Sequence, residues 1–329
     1  MADPGAGMKK REWSLAELVN GVRGGDRRAL ARAITLIENG DALSFPLVAA
    51  LYPHTGHAHA VGLTGPPGVG KSTLISALVR QARAEGQTVG VVSVDPSSPF
   101  TQGALLGDRI RLTDHFLDPE VFIRSMGTRG HHGGLAETTL QALLVLDAAG
   151  KDAVFLETVG TGQSEVGVLS IADTVVLVLM PGSGDSIQAL KAGIMEIPDV
   201  IAINKSDHPL AKTMLNEVRQ VLALGPHEAN RPAIVLTEAL RADGIPELWQ
   251  EIRDHHARLE ATGDLDRRRR ENLASEVFEV AGGRARRQLE DAGRDDPQLL
   301  ALLTAVERRE LDPLTAVREI LEHVFRIRA

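Results

Sequence analysis

Short apolar runs alternate with longer amphipathic segments through the middle of the chain. Most runs are apolar at both alternating positions, which is typical of strands covered on both faces of a sheet. Amphipathic segments such as 72–85 and 133–149 have the length of helices that cross between parallel strands. The predicted strands are residues 61–64, 89–94, 121–124, 153–157, 174–180, 200–204 and 233–237. The pattern therefore predicts an α/β fold, a mostly parallel sheet with helices on both faces.

Both ends of the chain are predicted to be helical. Ser14 to Glu17 forms a capping-box pattern, and residues 27–38 have apolar side chains at helical spacing. Beyond residue 262 no strand candidate remains, and we expect helix breaks at Gly282-Gly283 and at Pro297 or Pro313. The predicted division is an N-terminal helical extension (1–55), a central domain (56–260) and a C-terminal helical arm (261–329).

Composition narrows the choice of function. The 329 residues are 43% hydrophobic, contain no cysteine and carry a formal net charge of -8. Disulfides, thiolate metal sites and thiol catalysis are therefore excluded, and there is no basic excess for nucleic-acid binding. The longest apolar run, residues 175–180, is too short to cross a bilayer. We expect a cytoplasmic protein that binds neither nucleic acid nor membrane.

The first predicted strand leads directly into a phosphate-binding loop pattern, G-x-x-x-x-G-K-[ST]. Glycines let backbone amides surround phosphates, and the helix that follows adds positive potential at its N-terminus. We expect Lys71 to bridge the β- and γ-phosphates, Ser72 to give its hydroxyl to Mg²⁺, and Thr73 to lie near the α-phosphate. The loop residues are Gly65, Pro66, Pro67, Gly68, Val69, Gly70, Lys71 and Ser72. The motif predicts a P-loop NTPase.

A second motif, Asn204-Lys205-Ser206-Asp207, follows the predicted strand 200–204 and indicates which base is bound. The Asp207 carboxylate can accept two hydrogen bonds from the N1–H and amine of guanine, whereas adenine would leave it unpaired. Lys205 would lie along the base plane, and Asn204 would connect the base loop to the phosphate loop. After the next strand, Thr237, Glu238 and Ala239 are expected to bring backbone amides to the guanine carbonyl. The predicted ligands are GTP and GDP.

Carboxylates at strand ends are candidates for the magnesium shell. Glu157-Thr158-Val159-Gly160 has the acidic-x-x-Gly form of a switch, in which Glu157 holds Mg²⁺ through water and the Gly160 amide faces the γ-phosphate. Asp95 and Asp108 could join this shell, or Asp95 could cap the chain before Pro96 and Asp108 could cap a helix. The candidate catalytic residues are Lys71, Glu157 and Gly160.

The residue after the switch glycine predicts slow catalysis. Small signalling GTPases place a water-orienting Gln there, whereas this chain has Thr161, with Gln163 nearby. We therefore expect slow intrinsic hydrolysis that a partner stimulates.

Taken together, these strings resemble the MeaB/MMAA-type G-proteins, also known as ArgK-like, over about residues 15–265. The most distinctive string is E-T-V-G-T-G-Q-S-E at 157–165, supported by V-D-P-S-S at 94–98, L-G-D-R at 106–109 and M-P-G-S-G-D at 180–185. The resemblance implies a GTPase chaperone that gates cofactor loading of an adenosylcobalamin-dependent acyl-CoA mutase, typically methylmalonyl-CoA mutase, and protects or reactivates it. It also implies a homodimer through the C-terminal arm.

The same resemblance assigns further roles. Asp95, Asp108 and Glu157 would correspond to the magnesium-associated carboxylates, and residues 181–197 to a third switch that touches the mutase through Lys191. This segment reads I-Q-A-L-K where the family often reads L-Q-G-I-K, which leaves the identity of the mutase open.

Two other functions remain as alternatives. One is a nickel-insertion GTPase, although such proteins usually use cysteine, which this chain lacks. The other is an ATP-dependent kinase or transport-associated ATPase, against which Asp207 argues.

We interpret His54, His57 and His59 as exposed loop residues. His131-His132 lie in a Gly-flanked loop on the switch side. We interpret the basic run 267–270 as a solvated or dimer-facing helix.

Overall fold

The computed structural model describes residues 13–95, 112–127, 134–158, 170–182, 198–223 and 231–325, and only the backbone of residues 95 and 134–136. Within these ranges seven strands form one sheet in the order β3-β2-β4-β1-β5-β6-β7. All neighbouring strands are parallel. They are β1 (His59–Thr64), β2 (Val89–Asp95), β3 (Val121–Gly127), β4 (Ala153–Thr158), β5 (Thr174–Leu179), β6 (Val200–Ile203) and β7 (Ala233–Leu236). The α/β prediction is confirmed for all seven strands.

Helices cover both faces of this sheet and form the two ends of the chain. The described helices are α1 (Leu15–Arg23), α2 (Arg27–Glu38), α3 (Ser44–Leu51), α4 (Lys71–Ala84), α5 (Gly134–Ala148), α6 (Ala211–Ala223), α7 (Ile245–Thr262), α8 (Asp264–Asp295), α9 (Pro297–Glu307) and α10 (Pro313–Phe325). The predicted capping box starts α1, because Ser14 Oγ accepts from the Glu17 amide and the Glu17 carboxylate accepts from the Ser14 amide.

The N-terminal helices share a hydrophobic core with one face of the sheet. Leu30 and Ile34 of α2 belong to the same buried cluster as Val92 of β2 and Leu156 of β4, together with residues of α5. The opposite face packs on α4 and α7, where Trp249 contacts Phe155. Alternate residues of β4 thus enter different cores, since Leu156 faces one side and Phe155 the other.

The helical character predicted for residues beyond 262 is confirmed, but the predicted break at Gly282-Gly283 is wrong. The 32-residue helix α8 passes through both glycines, and neither has a positive φ. Glycine costs a helix interior about 1 kcal/mol relative to alanine, which a long helix packed on neighbours can offset. The breaks occur at the prolines, since α9 begins at Pro297 and α10 begins at Pro313. Among the described residues, no helix combines the length and the apolarity needed to cross a membrane.

Candidate functional site

The phosphate-binding loop occupies the carboxyl end of the central strand β1, where ligands bind in open α/β sheets. Gly65 has φ +140°, and a Cβ at this position would lie 2.1 Å from the Val178 carbonyl oxygen of β5. Gly70 has φ +97°, and a Cβ there would lie 2.6 Å from Asn204 Nδ2. No larger residue fits at either position, so both glycines are required by the close approach of the loop to its neighbours.

Lys71 and Ser72 start α4 and are both buried. Lys71 Nζ lies inside the loop, 2.5 Å from the Gly65 carbonyl oxygen and 3.2 Å from that of Pro66. Ser72 Oγ donates to Glu157 Oε1 at 2.5 Å. Glu157, paired in register with Leu63 of β1, is only 1% exposed. The folded chain therefore brings together the lysine, hydroxyl and carboxylate that the sequence placed far apart.

Ser93 is a member of this site that the sequence analysis missed. Its Oγ donates to Glu157 Oε2 at 3.1 Å, so the Glu157 carboxylate is held by hydroxyls from β2 and α4. The available signal was a single hydroxyl residue in an otherwise apolar strand, Val89–Asp95. A serine in that setting is equally consistent with a neutral core position, which is why the pattern alone did not identify it.

Asn204 connects three segments of the site. Its Nδ2 donates to the Val69 carbonyl of the phosphate loop at 2.9 Å. Its Oδ1 accepts from Thr237 Oγ1 and the Ala239 amide, each at 3.3 Å. Asn204 is 3% exposed, so these buried polar groups stabilise one another in a low-dielectric setting. The side chain therefore lies between the loop 204–207 and the phosphate loop.

Lys205 and Asp207 lie beside this connection and are exposed. Lys205 has φ +57°, an unusual conformation for a residue other than glycine, and its Nζ donates to the Gly68 carbonyl at 3.1 Å. The Ser206 amide donates to the Thr237 carbonyl at 3.0 Å, which sets the turn from which Asp207 projects. The Asp207 carboxylate is thus free to meet a ligand edge from the solvent side.

The backbone amides at Thr237, Glu238 and Ala239 all have partners within the protein. They donate respectively to the Ile203 carbonyl, the Asp243 carbonyl and Asn204 Oδ1. Glu238 also accepts from the Arg241 amide at 2.7 Å and so stabilises its own turn. The Ala239 bond, at 3.3 Å, is the longest of the three amide bonds, and this amide could be shared with a base carbonyl most readily.

Several predicted residues lie outside the described part of the chain. These are Gly160, Asp108 and Lys191, the string 159–165 including Thr161 and Gln163, and His131-His132. The backbone of Asp95 ends β2 beside Gly127 of β3, but its side chain is not described. The described core of the site is therefore the phosphate loop, Ser93, Glu157 and the base loop.

The donor set at Glu157 suits a magnesium ion. A serine hydroxyl and a carboxylate are the hard oxygen ligands that Mg²⁺ takes, with water completing the shell. Ser72 and Glu157 would hold such an ion, which would neutralise charge on the phosphates. The nearby amides at the N-terminus of α4 and the Lys71 ammonium supply further positive potential for a polyphosphate.

The opposite, amino edge of the sheet carries a second polar assembly, which we call the basal cluster. It consists of His59, Asp173, Thr174, Asp199, His255, His256, Arg268 and Arg269. The interpretation of His59 as an exposed loop residue is wrong: it lies buried on β1, its Nε2 is 2.9 Å from Thr174 Oγ1, and its ring stacks on His256 at 4.1 Å. Burial, followed by the nearby His256, holds the pKa of His59 well below its usual value.

The basic run 267–270 also differs from its interpretation. Arg268 forms two hydrogen bonds to Asp199, at 2.9 and 2.8 Å, just before β6. Arg269 binds both oxygens of Asp173, each at 2.7 Å, and the carbonyls of Gly56 and Ala58. These two arginines therefore attach α8 to the sheet, while Arg267 and Arg270 are exposed. The sequence missed this because the partners are about 70 to 100 residues away.

Known proteins similar to this chain agree with the geometry. The model of the family described as methylmalonyl Co-A mutase-associated GTPase MeaB matches residues 30–293. A putative GTPase of Pyrococcus abyssi is 46% identical over 94% of this chain and 96% of its own length. The mitochondrial methylmalonic aciduria type A homolog of Mus musculus is 34% identical over 82% of this chain and 70% of its own. A crystal structure titled LAO/AO transport system kinase superposes with a TM-score of 0.71 at 29% identity, covering 97% of this chain and 100% of that one.

Proposed function

The chain belongs to the MeaB family of GTPases, and we propose that it serves as a GTP-hydrolysing chaperone of an adenosylcobalamin-dependent acyl-CoA mutase. In this role it would gate the loading of adenosylcobalamin and protect or reactivate the mutase, which would be of the methylmalonyl-CoA type. The observation that carries the proposal is the family match over 30–293, whose family is described as mutase-associated.

The site supports the GTP part of the proposal through its two loops. Asn204 joins the phosphate loop to the base loop through the Val69 carbonyl, so one nucleotide would contact both loops at once. Lys71 would bind the β- and γ-phosphates, and Ser72 with Glu157 would hold Mg²⁺. Gly160, Asp95 and Asp108 remain proposed contributors, as does Lys191 as a contact for the mutase.

The sharpest test is capture of the partner. The full-length protein, loaded with GTP or with a non-hydrolysable GTP analogue, is mixed with purified methylmalonyl-CoA mutase, and complex formation and GTP turnover are measured. We expect a complex and at least about tenfold faster turnover, because Thr161 stands where a water-orienting Gln acts in other GTPases. A protein that hydrolyses GTP yet neither binds nor responds to any cobalamin-dependent acyl-CoA mutase would remove the chaperone role.

An ATP-dependent activity is the second candidate, because the superposed structure is titled a transport system kinase. The two candidate activities differ in the nucleotide base that the protein would bind. A carboxylate at Asp207 pairs with the two donors of guanine and has no matching donors on adenine. Competition between GTP and ATP for the purified protein therefore separates them: preference for ATP would favour the kinase.

We also propose a homodimer formed through the C-terminal arm. Helices α8 to α10 expose large apolar side chains, and such patches mark interaction sites. These are Val277 (62% exposed), Phe278 (76%), Leu300 (43%), Leu303 (49%), Leu314 (82%) and Val317 (51%). Phe278→Glu should shift the sedimentation of the protein to that of a monomer, whereas Leu117→Glu, at an exposed leucine in the loop before β3, should not. Equal sedimentation of both variants and the wild type would contradict this interface.

A further inference from the structure

The contact between α8 and α5 contains two buried carboxyl groups that are incompletely paired. Glu276 of α8 is 1% exposed, and its Oε1 has no hydrogen-bond partner among the described residues. Glu137, in the first turn of α5, is also buried, and within the same part of the chain its Oε2 has none. A buried, unpaired carboxylate oxygen costs several kcal/mol, so two of them at one contact are a strong departure from ordinary packing.

The charges at this contact do not balance. Arg284 of α8 donates to Glu137 Oε1 at 2.5 Å and lies over the Phe45 ring at 4.4 Å. Gln141 of α5 adds a neutral donor to the same Glu137 oxygen. Arg284 is therefore paired with Glu137, and the described residues include no ion pair to Glu276. The charged groups that act on Glu276 are Glu279 on its own helix and Glu137 on α5, and both are acidic.

Glu276 consequently titrates near neutrality. Burial, followed by the charges of Glu279 and Glu137, raises the pKa of Glu276 to about 7. A proton on Glu276 would give the contact the donor that it lacks.

The surrounding packing allows this contact to open. A cavity of about 250 Å³ separates α8 from α5 one turn before Glu276, lined by Leu140 and Leu144 of α5 and by Asn272 and Leu273 of α8. Gly282-Gly283 follows Glu276 and weakens the helix there. By contrast, the start of α8 is fixed at the basal cluster by Arg268 and Arg269. The helix is thus firmly attached at its beginning and incompletely packed further along.

We propose that a proton controls the docking of residues 276–284 of α8 against α5. When Glu276 is protonated, it donates a hydrogen bond to a carboxylate oxygen of Glu137 and this stretch packs on α5. When Glu276 is ionised, the two carboxylates repel each other and the stretch separates from α5, while the basal cluster keeps the start of the helix in place.

The test is amide hydrogen exchange on the full chain at pH 6 and pH 8, comparing wild type with Glu276→Gln at the same pH. Glutamine supplies a permanent donor of the same shape. We expect amides of 276–284 and of the first turns of α5 to exchange faster in the wild type than in the variant. The ratio of the two exchange rates should be about tenfold larger at pH 8 than at pH 6, because the docked Glu276 becomes fully ionised only above its raised pKa.

Two controls isolate the effect. Glu271→Gln removes the same charge from an exposed position of α8 and should exchange like the wild type at both pH values. Measurements at two protein concentrations tenfold apart check whether association is responsible. The proposal is overturned if wild type and Glu276→Gln exchange equally at pH 8, if Glu271→Gln behaves like Glu276→Gln, or if the difference disappears at the higher concentration.

Discussion

At the scale of single residues, the base loop 204–207 contains a buried asparagine that joins two loops, Asn204, and an exposed carboxylate, Asp207. Asn204 is buried and bound on both sides, whereas Asp207 projects from a turn that Ser206 and Thr237 hold. Changing Asp207 should therefore alter the proposed recognition of guanine without disturbing the loop, while changing Asn204 should loosen both loops together. This separation makes Asp207 the better probe of base specificity.

Asp207→Asn should exchange guanine specificity for xanthine specificity. The asparagine amide still accepts from the base N1–H, but its NH₂ faces the guanine amine, whereas xanthine presents a carbonyl there. We expect GTP binding to weaken by about 100-fold or more and xanthosine triphosphate binding to strengthen, since mismatched buried polar groups cost about 1–3 kcal/mol each. Fluorescent-nucleotide titration measures both. Unchanged GTP affinity would show that Asp207 does not read the base.

Ser93→Ala should weaken the response to magnesium. It removes a hydroxyl that donates to the buried Glu157 carboxylate, and losing one donor to a buried charge costs about 1–3 kcal/mol. The Mg²⁺ concentration that gives half-maximal GTP turnover should rise about 5-fold or more. Ser76→Ala is the matched control, because Ser76 is a buried serine of α4 that bonds to His115 outside the site. Equal shifts in both variants would remove Ser93 from the site.

Local sequence predicted the loops better than it predicted their supports. The glycine spacing and the lysine of the phosphate loop follow from a chemistry that tolerates few residue types. Ser93 and His59 were missed or misread because their roles depend on which strands become neighbours, β2 with β4 and β1 with β5. Neither position has a local pattern that distinguishes a core residue from a site residue.

At the scale of elements, α8 is attached to the sheet by a bidentate ion pair with a buried carboxylate. Asp173 is only 3% exposed on its side chain and receives both Arg269 and the Ala60 amide. Apolar runs predicted the strands because burial on both faces demands them, and Gly282-Gly283 was misjudged because tertiary packing outweighs propensity. Contacts such as that of Arg269 with Asp173 leave no periodic pattern in the sequence, so they can be identified only in the folded structure.

Arg269→Ala should destabilise the protein strongly. Removing the arginine leaves the buried Asp173 carboxylate without its cation, which costs about 3–5 kcal/mol. Arg267→Ala, two residues away and exposed, removes only an i,i+3 pair with Asp264 and should cost less than about 1 kcal/mol. Urea unfolding of both variants measures the difference in the free energy of unfolding. Losses of similar size would mean that Arg269 does not hold α8 to the sheet.

At the scale of the whole molecule, two histidines and one carboxyl group make stability depend on pH in opposite directions. Burial lowers the pKa of His59 and of His256 below 6.5, and they face His255, Arg269, Asp173, Asp199 and Glu260. Unfolded histidines bind protons near pH 6.5 while the folded ones do not, so stability falls as pH drops below about 6.5. The pKa of Glu276 is raised from 4.5 to about 7, so its contribution is lost as pH rises from about 4.5 to about 7 and changes little above that.

The free energy of unfolding should therefore depend on pH below about pH 7 and be nearly level above it. Urea unfolding from pH 5.5 to 8.5 would trace the curve. Below about pH 7, Glu276→Gln should make stability rise more steeply with pH, and His256→Phe, which keeps a ring against His59, should make it rise less steeply. A free energy of unfolding that changes as much above about pH 7.5 as below about pH 7 would contradict these assignments.

The attachment of α8 at its first turns also sets how far its other end can travel. The helix extends about 26 residues beyond Arg269, or roughly 39 Å at 1.5 Å per residue. A rotation of about 10° at the basal cluster would move the end near Asp295 by roughly 7 Å, several times the displacement at the sheet. In a protein joined to a second copy through this arm, a small change at the amino edge of one sheet would become a large change in the spacing of the two nucleotide sites.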